Sequence, residues 1–208
     1  MTRLTFLSIL SFVSLSAVAQ QKHETFSHKG FYLSLAAGPA FGDIKGKDHN
    51  NYPFITKGTA FGFDAQIGGA IQTNLILHGT LQIKSIYGPK INDVRFGGKY
   101  SFDENFFGAG MTKYTAENFF ITGNVGLGYY TLSLETNNPF ASQDVSTDMG
   151  FSFNIRAGKE WMVSGKWGLG AVLFFNRTSL KTRDETFTEK WNSNRFGIYF
   201  QATYNRLK

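Results

Sequence analysis

Residues 60–87 read AFGFDAQIGGAIQTNLILHGTLQIKSIY. Two alternating runs flank a three-residue break at 72–74. In the first, Phe61, Phe63, Ala65 and Ile67 alternate with Gly62, Asp64, Gln66 and Gly68. In the second, Leu75, Leu77, Leu81 and Ile83 share one face, while His78, Thr80, Gln82 and Lys84 share the other. A period of two belongs to a strand whose faces meet different surroundings. A water-soluble sandwich or barrel turns its apolar face inward and carries many charges outside. Here the polar face is glycine and uncharged side chains with single charges, too small and too weakly charged for a solvated exterior. The apolar face is bulky and continuous. That division predicts a narrow barrel with small polar residues lining the bore and apolar residues facing lipid.

The same pattern recurs along the chain. Eight segments carry it, near 30–41, 58–71, 75–87, 105–114, 118–134, 149–163, 166–177 and 192–205. Each is close to, or longer than, the roughly 9–11 residues a tilted transmembrane strand needs. Charges on the apolar face fall only near strand ends, at Lys113, Lys159 and Arg177. There a long basic side chain can snorkel to the headgroups. Trp161, Trp167 and Tyr204, with Lys113 and Lys159, are the expected membrane-interface anchors. The connections 72–74, 115–117 and 164–165 are short, and those at 42–57, 88–104, 135–148 and 178–191 are long, in strict alternation. Outer-membrane barrels alternate short periplasmic turns with long outer loops. Lipid offers no partner to an open sheet edge, so the sheet must close. The expected fold is all-β: an eight-stranded antiparallel up-and-down transmembrane barrel over residues 30–208.

Composition excludes the main alternatives. The 208-residue chain has no cysteine, 22 phenylalanines and only 17% charged residues. Disorder is incompatible with that aromatic content, and no disulfide scaffold or thiolate zinc site can form. Beyond residue 20 no apolar run approaches the ~20 residues of a spanning helix. Residues 1–19 read as a signal peptide, with Arg3, an apolar stretch from Leu4 to Val18, and Ala17-Val18-Ala19 as the cleavage motif. Residues 20–29 read as a flexible periplasmic leader. Losing Arg3 takes the net charge from +6 to +5.

In the bore the expected polar network is Asp64, Gln82, Lys84, Arg156 and Glu160, with Asp64 facing Gln82 and diagonal to Lys84. Lys84→Met is therefore expected to leave Asp64 unpaired. An eight-stranded interior is just wide enough for its own side chains, so the lumen should be plugged. Catalysis would need a base beside a nucleophile. His23 and His28 fall in the leader, His78 in the bore, and His49 beside Asp48 in the first long loop, so no enzyme is expected. Residues 43–48 lack calcium-loop spacing. Gly108, Gly110, Gly126 and Gly128 alternate along strands as spacers rather than opening a helix to cradle phosphate. No metal or cofactor is expected. The basic residues read as dispersed, so nucleic acid is not an expected partner; anionic lipopolysaccharide beside basic strand ends is.

The chain resembles the small eight-stranded outer-membrane barrels of Gram-negative bacteria, the OmpA/OmpX/OmpW-like superfamily. The resemblance rests on the pattern, and most specifically on Gly158-Lys159-Glu160-Trp161 followed by Trp167-Gly168-Leu169-Gly170. The last strand resembles the family's assembly signal at Arg195, Gly197, Phe200 and Ala202, which implies recognition by the outer-membrane assembly machinery. It departs from the family in continuing past Tyr204 through residues 205–208 rather than ending on an aromatic. The resemblance implies an outer-membrane protein acting structurally, or contacting a surface ligand through four long extracellular loops. Two alternatives stand beside this reading: a small porin-like channel or passive transporter, and a soluble lipocalin-like carrier with the faces inverted.

Overall fold

The computed structural model describes residues 27–47, 50–95, 99–135, 143–183 and 188–207. Its strands are β1 (His28–Lys47), β2 (Pro53–Lys57), β3 (Ala60–Gln72), β4 (Leu75–Tyr87), β5 (Lys90–Ile91) and β6 (Val94–Arg95). They continue with β7 (Lys99–Tyr114), β8 (Phe119–Glu135), β9 (Gln143–Ser146), β10 (Gly150–Met162), β11 (Trp167–Arg183) and β12 (Thr188–Leu207). Eight of these, β1, β3, β4, β7, β8, β10, β11 and β12, pair in sequence order. The pairings are antiparallel, and β12 returns to β1 with Leu33 opposite Tyr204, Ala37 opposite Phe200 and Phe41 opposite Phe196. The barrel is closed, and no edge of the eight-strand wall is left unpaired in its apolar zone.

The alternation sorts side chains as a lipid-facing barrel requires. Leu81, Leu173 and Phe200 point outward at 63%, 61% and 78% exposure. Asp64, Gln66, His78, Thr80, Thr122, Asn154 and Tyr199 point inward and are buried. A carrier with an apolar cavity needs the opposite arrangement, so the lipocalin-like alternative fails on which face is inside. In water the outward face would far exceed the few hundred Å² of apolar patch that soluble monomers carry.

At the short-turn end, Asn74 and Asn118 adopt left-handed backbone at φ 62° and 60°, where asparagine is enriched. The chain start is tied there too. His28 was expected in the leader, yet it opens β1 and is fully buried. Its backbone is held by the turn residue Asn74, whose side-chain oxygen accepts from the His28 N–H and whose own N–H donates to the His28 carbonyl, so backbone polar pairing rather than hydrophobicity brings this residue into the wall. Residues 1–26, including the expected signal peptide and most of the leader, lie outside the described residues, as do Asp48 and His49.

The other end differs from expectation in a consistent direction. Strands run on where loops were expected. The anticipated fourth loop, 178–191, is largely ladder, with Ser179 opposite Asn192 and Arg183 opposite Thr188. The anticipated second loop ends in the first turn-length of β7, which starts at Lys99 and carries Glu104 into the bore. Within the first loop β2 pairs with both β1 and β5, and in the third β9 pairs with β8. Lys57 Nζ donates to both Asp93 carboxylate oxygens, at 3.0 and 3.2 Å, which raises the ammonium's pKa. Two glycines make room in the bore: the Tyr199 hydroxyl lies over Gly62, and the Phe174 ring lies against Gly197.

Candidate functional site: the polar interior of the barrel

The bore is lined by side chains that alternation delivers from all eight wall strands. Its central chain begins at Lys84, whose Nζ donates to Gln82 Oε1 at 3.0 Å. Gln82 Nε2 donates to Asp64 Oδ2 at 2.7 Å. Arg156 crosses from β10: Nη1 donates to Asp64 Oδ1 at 2.6 Å and Nη2 to Gln201 Oε1 at 2.5 Å. Gln201 Nε2 passes the chain on to Glu160 Oε1 at 2.6 Å. Tyr114 and Thr203 hydroxyls donate to that same carboxylate oxygen, each at 2.7 Å. The five anticipated interior residues thus meet in one chain, and Gln201 is the link that sequence reasoning had not assigned.

The pairing within it differs from expectation. Asp64 makes its ion pair with Arg156, with the two side chains 0% and 1% exposed. Lys84 reaches Asp64 only through Gln82. Pairing across the bore places β10 opposite β3, and their residues are 92 positions apart in sequence. The diagonal rule for adjacent strands does not describe such a contact.

A second cluster sits nearer the long-loop end. Glu104 Oε2 accepts from Arg195 Nε at 2.9 Å, with both side chains fully buried. Glu104 Oε1 accepts from Asn176 Nδ2, Thr178 Oγ1 and Ser193 Oγ at 3.0, 2.7 and 2.6 Å. Arg195 also donates from Nη1 to the Gly42 carbonyl at 3.2 Å. Arg195 had been considered only as part of the assembly signal; it occupies the bore as an ion-pair partner. Of its companions, Gly197 faces inward, Phe200 is the most exposed large apolar side chain among the described residues, and Ala202 lies on the outer wall.

His28 stands at the short-turn end of the bore. Its backbone N–H donates to Asn74 Oδ1 at 2.8 Å, and its ring nitrogens lie 3.0 Å from Asn118 Oδ1 and 2.8 Å from Asn205 Nδ2. The ring stacks on Tyr114 with centroids 3.8 Å apart. One histidine therefore ties together the first strand, two turns and the last strand. His78 is held by hydroxyls, with Thr80 Oγ1 at 3.0 Å and Thr112 Oγ1 at 2.9 Å, and no carboxylate bonds to its ring. Among the described residues no group of three His, Asp or Glu could hold a metal ion.

On the outside, Trp167 meets Tyr204 edge-on with centroids 5.3 Å apart. Lys159 Nζ sits 4.4 Å above the Phe119 ring, and Trp161 and Lys113 are exposed nearby. All five anticipated anchors lie toward the short-turn end of their strands.

No protein-family model matches this chain, and no curated protein matches it by sequence. Solved structures do match. The Neisserial surface protein NspA is 12% identical, with 85% of this chain covering 97% of that one at a TM-score of 0.49. OprG of Pseudomonas aeruginosa is 12% identical over 86% and 98% of the chains at 0.48. Ail of Yersinia pestis, an attachment invasion locus protein, is 14% identical over 83% and 99% at 0.43. The chain is similar to small eight-stranded outer-membrane barrels, and the assignment of its fold rests on its own closed strand register.

Proposed function

We propose that this is an integral outer-membrane barrel whose lumen is plugged by its own polar side chains, and which acts structurally or by surface interaction at the long-loop end. Three carboxylates, Asp64, Glu104 and Glu160, and three cations, Lys84, Arg156 and Arg195, are all buried in the bore. That balance supports a plug. An open aqueous pore would leave such charges solvated, whereas here two ion pairs and a hydrogen-bond chain engage each of the six, with Arg156 Nε, Glu160 Oε2 and Arg195 Nη2 left without a protein partner. Buried charges persist in proteins when they are paired and hydrogen-bonded. The projecting strands at the long-loop end supply a built surface above the apolar belt.

Single-channel recording in planar bilayers tests the plug. Silence is expected at physiological salt; discrete, reproducible openings would assign the bore to transport instead. Protease treatment of intact cells tests orientation, with cleavage expected at the long-loop end and not at 72–74.

A further inference from the structure

We infer that the middle of the bore binds a monatomic anion of the halide class, held between the Lys84 ammonium, the Arg195 guanidinium and the Tyr199 hydroxyl. Strand register brings these groups together. Gly38 pairs with Gly62, Gly62 with Lys84, and Lys84 with Glu104, so one inward-facing row crosses β1, β3, β4 and β7. Tyr199 of β12 lies along that row: its ring passes beside Gly38, and its hydroxyl sits where a Cβ on Gly62 would be. The hydroxyl thus ends about one strand spacing, ~5 Å, from the Lys84 backbone. The Phe174 ring adjoins both groups, with its centroid 4.3 Å from that of Tyr199 and 6.0 Å from Lys84 Nζ. Glu104 closes the row and holds Arg195.

Donors outnumber acceptors at this point. Glu104 already accepts from Asn176, Thr178, Ser193 and Arg195, which fills the roughly four lone-pair sites of a carboxylate. Lys84 uses one of its ammonium protons on Gln82 Oε1, and among the described residues no carboxylate lies within ion-pair range of it. Arg195 Nη2 and the Tyr199 hydroxyl are buried with no protein partner, and the one acceptor left over nearby is Asn176 Oδ1. Lys84 and Arg195 are wholly buried, and Tyr199 is buried beside them. Charge points the same way. Lys84 and Arg195 against Glu104 leave this half of the bore at +1, while Arg156 against Asp64 and Glu160 leaves the other half at −1. Buried charges persist when they are paired, and a monovalent anion completes the upper half. Water would satisfy the donors and leave the charge. An eight-stranded interior is just wide enough for its own side chains, so a single atom fits the place better than an oxyanion or an organic solute.

The test is urea unfolding of the full chain in phosphatidylcholine vesicles, with chloride or bromide replacing gluconate at constant ionic strength. An anion bound only by the folded barrel raises the folded-to-unfolded ratio about tenfold for each tenfold rise in halide above its dissociation constant. Wild type should show that slope. Lys84→Met should lose it, and Tyr199→Phe should need more halide to reach it. Slopes are compared, so each variant's own stability does not enter. A flat wild-type response would overturn the inference in favour of water at the donors. An unchanged slope in Lys84→Met would place the halide elsewhere, and an equal effect of sulfate would make it a general salt effect; either overturns the inference. Where Lys84→Met does not fold, bromide anomalous scattering from wild-type crystals decides, with a peak expected between Lys84 and Tyr199 and its absence refuting the site. The inference rests on the plugged lumen proposed above. Channel openings in planar bilayers would remove that reading, whereas a silent bore with a flat halide response overturns the anion site alone.

Discussion

Arg156→Met removes the guanidinium that spans the bore while keeping a long apolar stem. Three consequences can be read from the geometry. Asp64, with no exposed surface, loses an ion pair at 2.6 Å and keeps one hydrogen bond from Gln82. Gln201 Oε1 loses its donor. Glu160 stays bonded to Tyr114 and Thr203. Removing one partner of a buried pair costs about 3–5 kcal/mol, because an uncompensated charge remains. The expected loss for Arg156→Met is therefore at least ~3 kcal/mol. Lys84→Met is the informative contrast. Lys84 contributes one hydrogen bond, to a neutral amide, and Asp64 retains Arg156 without it. Its loss should cost about 1 kcal/mol. A further variant, Asp64→Asn/Arg156→Met, removes the stranded charge and should recover more than half of the single-mutant loss, a coupling of about 2 kcal/mol.

The assay is urea unfolding in phosphatidylcholine vesicles, followed by tryptophan fluorescence and by the mobility shift of boiled against unboiled samples. Agreement between the two signals licenses a two-state treatment. Two results would refute the reasoning: Arg156→Met within ~1 kcal/mol of wild type, or Lys84→Met the more damaging of the two. Either would mean that water, rather than Arg156, satisfies Asp64.

Two further outcomes are expected. Gly197→Ala would drive a methyl into the Pro39 carbonyl and the Phe174 ring, while at Gly123 nothing lies within 4 Å of the added carbon. The first should cost about 1–3 kcal/mol as overpacking, and the second should leave the urea midpoint unchanged; equal effects would show that the bore yields freely around Phe174. His28→Ala removes the two ring hydrogen bonds and the stack on Tyr114, and should lower the temperature of the gel-mobility transition and admit protease at the N-terminal segment. An unchanged transition would show that the asparagines close that end without it.

What the sequence discloses about this fold, and what it withholds, follow from one distinction. Face alternation is local, so the eight-strand wall and its inside–outside sorting are legible from residues such as Phe61 to Gly68 alone. The hydrophobic half of that signal ends where lipid ends, yet the backbone ladder does not. Beyond Phe41, β1 continues as Asp43, Lys45 and Lys47 with its partners still in register, and polar strands of this kind read as loop. Glu104 was missed for that reason, although it lies two residues before Phe106, an inward position on the same parity. Arg195 stands two before Gly197 in the same way, and its parity alone pointed into the bore. Partner choice across the bore was not legible at all. Asp64 with Arg156 and Glu104 with Arg195 are separated by 92 and 91 residues, and neither pair lies on adjacent strands. Such contacts exist only once β12 has closed on β1, so they are properties of the closed cylinder. The donor cluster around Lys84 depends on the same closure: Tyr199 of β12 lies over Gly38 and Gly62 only across the seam between the first strand and the last. A barrel opened at that seam would lose the cluster while keeping every strand's own pattern, so the anion site is a consequence of closure and not of any segment's composition.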